Sequence, residues 1–159
     1  MPQNPDALDS LQPVFAGAPL QCVVPVGPQE IRALEVAGRQ FFEQGQWDKA
    51  RNVFSALTSL APSSPLGHAG LGVLALKQAR YKDALQSLTQ AVQLQSADLA
   101  VYTNLGEVIL RMGNATQAKV VLKCAVDLDP SKRDPAGNRA RALLEAIAET
   151  ASAESAASS

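Results

Sequence analysis

Between residues 31 and 130 the apolar positions follow a helical period that is broken, resumed and written three times. Ile31, Leu34, Ala37, Gly38 and Phe41 recur at intervals of three and four, the spacing of one helix face. Gly45 ends that run. Trp47, Ala50, Val53, Phe54 and Leu57 then open a second face, with Asp48 in the first turn, where a carboxylate is favoured. The plan returns with Leu71, Gly72 and Ala75 followed by Ala84, Leu85, Leu88 and Ala91. It returns again with Tyr102, Leu105, Gly106 and Ile109 followed by Ala118, Val121, Leu122 and Ala125. Each unit is predicted to be a hairpin of two helices.

The three units are in register at a spacing of 34 residues. Gly38, Gly72 and Gly106 align, as do Ala50, Ala84 and Ala118, and Pro62, Ser96 and Pro130 close the units. A glycine inside a helix costs on the order of 1 kcal/mol relative to alanine. Close approach of the second helix, with the alanines as its matching small residues, is the physical reason to accept that cost three times. A unit of this length cannot bury its own apolar face and must stack on its neighbours. Ser63 or Ser64 can cap the helix that Pro65 begins, and Asp98 is placed to cap the next. Gly45 and Gly113 mark two of the intra-hairpin turns. Ala79 holds the third, which is predicted to close without a left-handed residue.

Outside the repeats the pattern changes. Residues 1–28 carry six of the ten prolines and no sustained helical period, so they are predicted to form a largely extended leader. Its apolar positions, Leu11, Val14 and Phe15 and then Leu20, Val23, Val24 and Val26, are candidates for docking on this chain or on a second copy. Residues 134–148 read as one more helix, with Ala140, Leu143, Leu144 and Ile147 on one face, able to cover the last repeat. The predicted organisation is a leader at 1–28, a repeat domain with its capping helix at 29–149, and a disordered Ser- and Ala-rich tail at 150–159.

Composition narrows the function. The chain is 47% hydrophobic but only 4% aromatic, which suits closely packed helices. Fourteen basic and fifteen acidic residues leave a net charge of −1, with no electrostatic case for nucleic acid or an anionic membrane. No apolar run approaches the roughly 20 residues of a membrane-spanning helix, and the N-terminus lacks a secretory layout. Cys22 and Cys124 do not make a disulfide framework, so a cytoplasmic location is expected.

With these residues in place, the units resemble the tetratricopeptide repeat. The resemblance covers 31–130 and departs from the usual pattern at Leu34 and His68, where an aromatic is common, at Leu57 in place of a small residue, and at Ser96 in place of proline. It implies an all-α, right-handed superhelical solenoid of three hairpins plus a C-terminal capping helix. In that geometry the first helix of each hairpin lines a concave face. Carried over by position, the groove comprises Arg32, Glu35, Arg39, Phe42 and Glu43, then Leu66, Ala69, Val73, Leu76 and Lys77, then Ala100, Thr103, Glu107, Leu110 and Arg111. The middle set is almost wholly apolar, as expected of an interaction groove. A clamp for a carboxylate tail is incomplete, because Glu35, Val73 and Glu107 stand at matching positions.

The run FFEQGQWDKARNVFSALTSLAP, followed by YKDALQSLTQAV, further resembles the three-repeat chaperones of type III secretion that keep translocator subunits soluble. This second resemblance implies a cytoplasmic, non-enzymatic holdase that takes an extended apolar segment of an exported, membrane-inserting client, and it admits a homodimer. Needle-subunit chaperones, pilus-assembly repeat proteins and generic adaptors share much of the pattern, so a scaffold in an envelope, pilus or secretion assembly is the alternative.

Catalytic chemistry is not indicated. His68 is the single histidine and sits at a helix-packing position, and Cys124 beside Ala125 reads as a buried thiol. No metal-ligand spacing, phosphate loop or cofactor motif is present in the sequence. Lys132, Arg133, Arg139 and Arg141 read as a small solvated basic patch without the aromatic interleaving of a nucleic-acid site.

Overall fold

The computed structural model describes residues 26–157. Among them are seven helices: α1 (Pro28–Glu43), α2 (Trp47–Leu60), α3 (Leu66–Lys77), α4 (Tyr81–Gln93), α5 (Leu99–Arg111), α6 (Ala115–Asp127) and α7 (Pro135–Ala157). They pair as three hairpins, each stacked on the next, and α7 closes the stack against α5 and α6. The predicted leader lies outside the described residues apart from its last positions, where Pro28 already opens α1.

The aligned small residues act as the spacing requires. A methyl group built on Gly38 would stand 2.7 Å from Phe54 Cε1, on Gly72 2.5 Å from Leu88 Cγ, and on Gly106 2.6 Å from Leu122 Cγ. Each repeat glycine therefore seats the large residue of its own second helix. Ala50, Ala84 and Ala118 are wholly buried beneath the crossings. Phe54 also lies across Gly70 of the following hairpin, so one ring joins two units.

All three intra-hairpin turns use one device. The N–H groups of Gly45, Ala79 and Gly113 donate to the carbonyls of Phe42, Leu76 and Leu110, and those of Gln46, Arg80 and Asn114 donate to Phe41, Ala75 and Ile109. This paired closure needs a left-handed residue at its first position. Gly45 and Gly113 supply it with φ of 71° and 86°, and Ala79 adopts φ 55°. The expectation that the middle turn avoids the left-handed region is thus corrected: the hydrogen bonds outweigh the steric cost of the Ala79 methyl. Asp98 caps α5 as predicted, its carboxylate accepting from the Ala100 N–H at 2.9 Å.

The core divides in two. Leu34, Ala50, Val53, Phe54, Leu57 and Leu74 form an N-terminal cluster. A larger cluster runs from Ala75, Ala84 and Leu88 through Val101, Val108, Leu122 and Ala140 to Ile147. They meet at the consecutive residues Leu74 and Ala75 on α3. α7 continues to Ala157, into the stretch expected to be disordered from residue 150. Alanine dominates that stretch and has the highest intrinsic helix propensity, so the helix extends past Ile147, its last buried residue among those whose burial is described.

Candidate functional site

The first helices of the hairpins line one face of the stack, and two adjoining cavities open there. The apolar one, about 330 Å³, lies between α1, α3 and α5. Its floor is Phe42, Phe54, Leu66, Ala69, Gly70, Val73, Ala100 and Val101, with Glu35, Arg39, Glu43, Asp98 and Asn104 around it. Gly70 keeps this chamber deep, because any side chain there would enter the Phe54 ring. Phe42 is steadied by Trp47, whose ring meets it edge-on at 5.4 Å between centroids.

The second cavity, about 390 Å³, is polar. Val73, Leu76, Lys77, Ala79 and Tyr81 line one side, and Asn104, Glu107, Arg111 and Arg139 line the other. Arg139 reaches from α7 to pair with Glu107, and its Nη1 donates to Asn104 Oδ1 at 3.1 Å. Arg111 lies 3.4 Å from the other Glu107 oxygen. Asn104 is only 7% exposed and borders both cavities. With its oxygen taken by Arg139, its NH₂ remains as a donor at the junction of the two cavities.

Of the residues expected in the groove, Arg39, Phe42, Leu66, Ala69, Val73 and Ala100 converge on the apolar chamber, while Leu76 and Lys77 line the polar one. Arg32 lines a separate cavity beside Glu35, Arg39 and Leu66, and two further residues do not belong to the groove. Thr103 is completely buried and donates its hydroxyl to the Leu99 and Ala136 carbonyls at 3.2 and 3.1 Å, joining α5 to α7. Leu110, two turns further along the same side of α5, is half-buried against the C-terminal core and borders neither cavity. The physical reason is register: α7 occupies the flank of α5 that would otherwise turn toward the groove. Leu76 also packs partly on that core, whereas Val73 lines both cavities and belongs to neither core.

Asn104 and Arg139 are the site residues that sequence reasoning missed. Arg139 lies beyond the repeats, where no positional comparison reaches it. The expected basic patch divides accordingly, with Arg139 at the groove and Arg141 paired to Asp129 at 3.1 Å. Cys124 is exposed rather than buried, because neighbours in a helix point about 100° apart and Ala125 alone faces inward. Among the described residues no three His, Cys, Asp or Glu side chains gather as metal ligands would. No helix among them is long and apolar enough to cross a membrane.

Two family models described as tetratricopeptide repeat match residues 36–98 and 75–144, together more than half of the chain. The chain belongs to the tetratricopeptide repeat family. This repeat protein is 29% identical over 94 residues to the Hsp70-Hsp90 organizing protein of Triticum aestivum, a match that takes in 59% of the chain but only 16% of that protein. Its fold is similar to that of the type III secretion translocator chaperone SycD of Yersinia enterocolitica, with TM-score 0.73 and 21% identity over 80% of this chain and 89% of that one. PcrH from Pseudomonas aeruginosa is similar to the repeat protein at TM-score 0.71 and 24% identity, over 81% and 99% of the two chains. PcrH has also been solved with the chaperone binding region of PopD. At these identities the likeness to the solved structures is one of fold.

Proposed function

We propose that this tetratricopeptide repeat protein is a cytoplasmic, non-enzymatic chaperone that holds an extended apolar segment of a membrane-inserting client in its concave groove before type III export. The observation that carries the reading is the apolar chamber between α1, α3 and α5, floored by Phe42, Leu66, Ala69, Val73 and Val101. Apolar surface transferred from water is worth about 25 cal/mol per Å². A client segment that would aggregate in water therefore gains by lying there. Similarity in fold to SycD and PcrH supports the same reading, as does a size that spans nearly the whole of both. Self-association into a homodimer is part of the proposal.

A tetratricopeptide adaptor in a standing assembly is the second reading, favoured by the match to the Hsp70-Hsp90 organizing protein. A pull-down from the native cytoplasm separates the two, with the intact chain set beside its Val73→Asp variant and both read by mass spectrometry. Val73 is half-buried at the groove and outside both cores, so the variant should keep its helical circular dichroism. Enrichment of one membrane-inserting exported protein, lost in the variant, is the expected result. Recovery of a stable assembly that survives the substitution sinks the chaperone reading and places binding outside the groove.

A further inference from the structure

The two cavities share Val73 and Asn104, so a segment laid along the groove passes both. Their charges are opposite. Around the apolar chamber stand Glu35, Glu43 and Asp98 against a single cation, Arg39, which pairs with Glu35 at 2.6 Å. Glu43 and Asp98 make no ion pair among the described residues, so the chamber keeps an excess of two negative charges. In the polar cavity Arg111 and Arg139 share Glu107, and Lys77 makes no ion pair among the described residues. That end keeps an excess of two positive charges. With a whole-chain net charge of only −1, the polarity belongs to the groove and not to the overall composition.

We infer that the groove selects its segment by charge as well as apolarity, taking an apolar centre with a basic residue at the α1 end and an acidic residue at the α7 end. This deepens the chaperone reading and rests on it. Screening confines such a preference to flanks lying within about 8 Å of the groove charges. Charge complementarity at a binding face fixes register and partner choice more than it adds affinity. An apolar chamber alone tolerates a segment slipped by one or two residues, and opposite charges at its two ends remove that freedom. Lys77 is the critical cation, since Arg111 and Arg139 are already engaged by Glu107.

The test uses the full chain and a phage-displayed library of random peptides, selected in parallel on the unmodified protein and on Lys77→Glu. Consensus peptides are then synthesised with either charged flank replaced by glutamine, and binding is followed by fluorescence anisotropy. The enriched peptides should carry an apolar centre with opposite charges on its two sides. Neutralising the acidic flank should weaken binding about fivefold at low salt, which is ~1 kcal/mol, and the loss should shrink at high salt. Lys77→Glu brings that end to balance, two cations against two carboxylates, so on it the preference for an acidic flank should disappear. Apolar peptides that need Val73 but show no charge preference, or a preference that Lys77→Glu leaves in place, overturn this inference and spare the groove. Failure to enrich any peptide whose binding Val73→Asp abolishes overturns the groove reading along with it.

Discussion

At the scale of single residues, Ala79 shows what the repeat demands. Three turns share the same pair of backbone hydrogen bonds, two have glycine at the left-handed position, and the third holds alanine at φ 55°. A left-handed conformation costs a residue with a Cβ roughly 1–2 kcal/mol, while glycine's extra freedom in the unfolded chain returns part of the difference. Ala79→Gly should therefore stabilise the protein by about 0.5–1 kcal/mol. A urea denaturation midpoint that stays put or falls would show that the turn carries no such strain. The residue types needed for this turn are visible in the sequence, but whether an alanine would be forced into it was not. Helix propensity and turn geometry pull Ala79 in opposite directions, and only the hydrogen bonds on both sides decide between them. Cys124 is a similar case, since burial depends on an angle around α6 that adjacency to Ala125 does not convey.

Among the elements, α7 is where sequence reading falls short, because it follows no repeat. The hairpins were legible from Gly38, Gly72 and Gly106 with Ala50, Ala84 and Ala118, since steric needs recur at fixed spacing. The register of α7 on α5 is a single tertiary fact, and it removes Thr103 from the groove while bringing Arg139 in. Asp129 holds the other side of α7. It accepts from Ser131 Oγ at 2.9 Å, from Arg141 Nη1 at 3.1 Å and from the Arg133 N–H at 3.3 Å. Burial pushes its carboxyl up, but the hydrogen bonds from Ser131, Arg141 and the Arg133 and Asp134 backbone outweigh that and hold it below the ordinary carboxylate range. A carboxyl depressed in the folded state stabilises the protein above its unfolded pKa, and that stability is lost as pH falls through the folded value. The melting temperature should accordingly drop as pH is lowered from about 5 through the acid range. In Asp129→Asn the starting value should be lower and this part of the acid dependence absent. An unaltered acid profile in that variant would assign the dependence to other carboxylates.

For the whole molecule, the divided core and the groove meet on α3. Leu74 faces the N-terminal cluster and Ala75 the C-terminal one, while Leu66, Ala69, Gly70 and Val73 on the same helix floor the apolar chamber. Gly67, Gly70 and Gly72 all fall within its 12 residues, and each sits where a methyl group would strike a neighbour. This helix is therefore held by packing from both sides and not by its own propensity. Solenoid stability is close to a sum of repeat and interface terms, so the unit with the smaller core opens first. Among the described residues the cluster under α1 and α2 contains six buried residues against fourteen in the C-terminal one. Native-state hydrogen exchange should show α1 and α2 opening at a lower free energy than α5 and α6, with α3 between them. A segment bound in the chamber touches α1, α3 and α5 together, so it should raise protection most in α1 and α2 and narrow the gap. Equal protection of all hairpins in the free chain would mean that α3 couples the two cores into one cooperative unit, and ligand binding would then protect every helix alike.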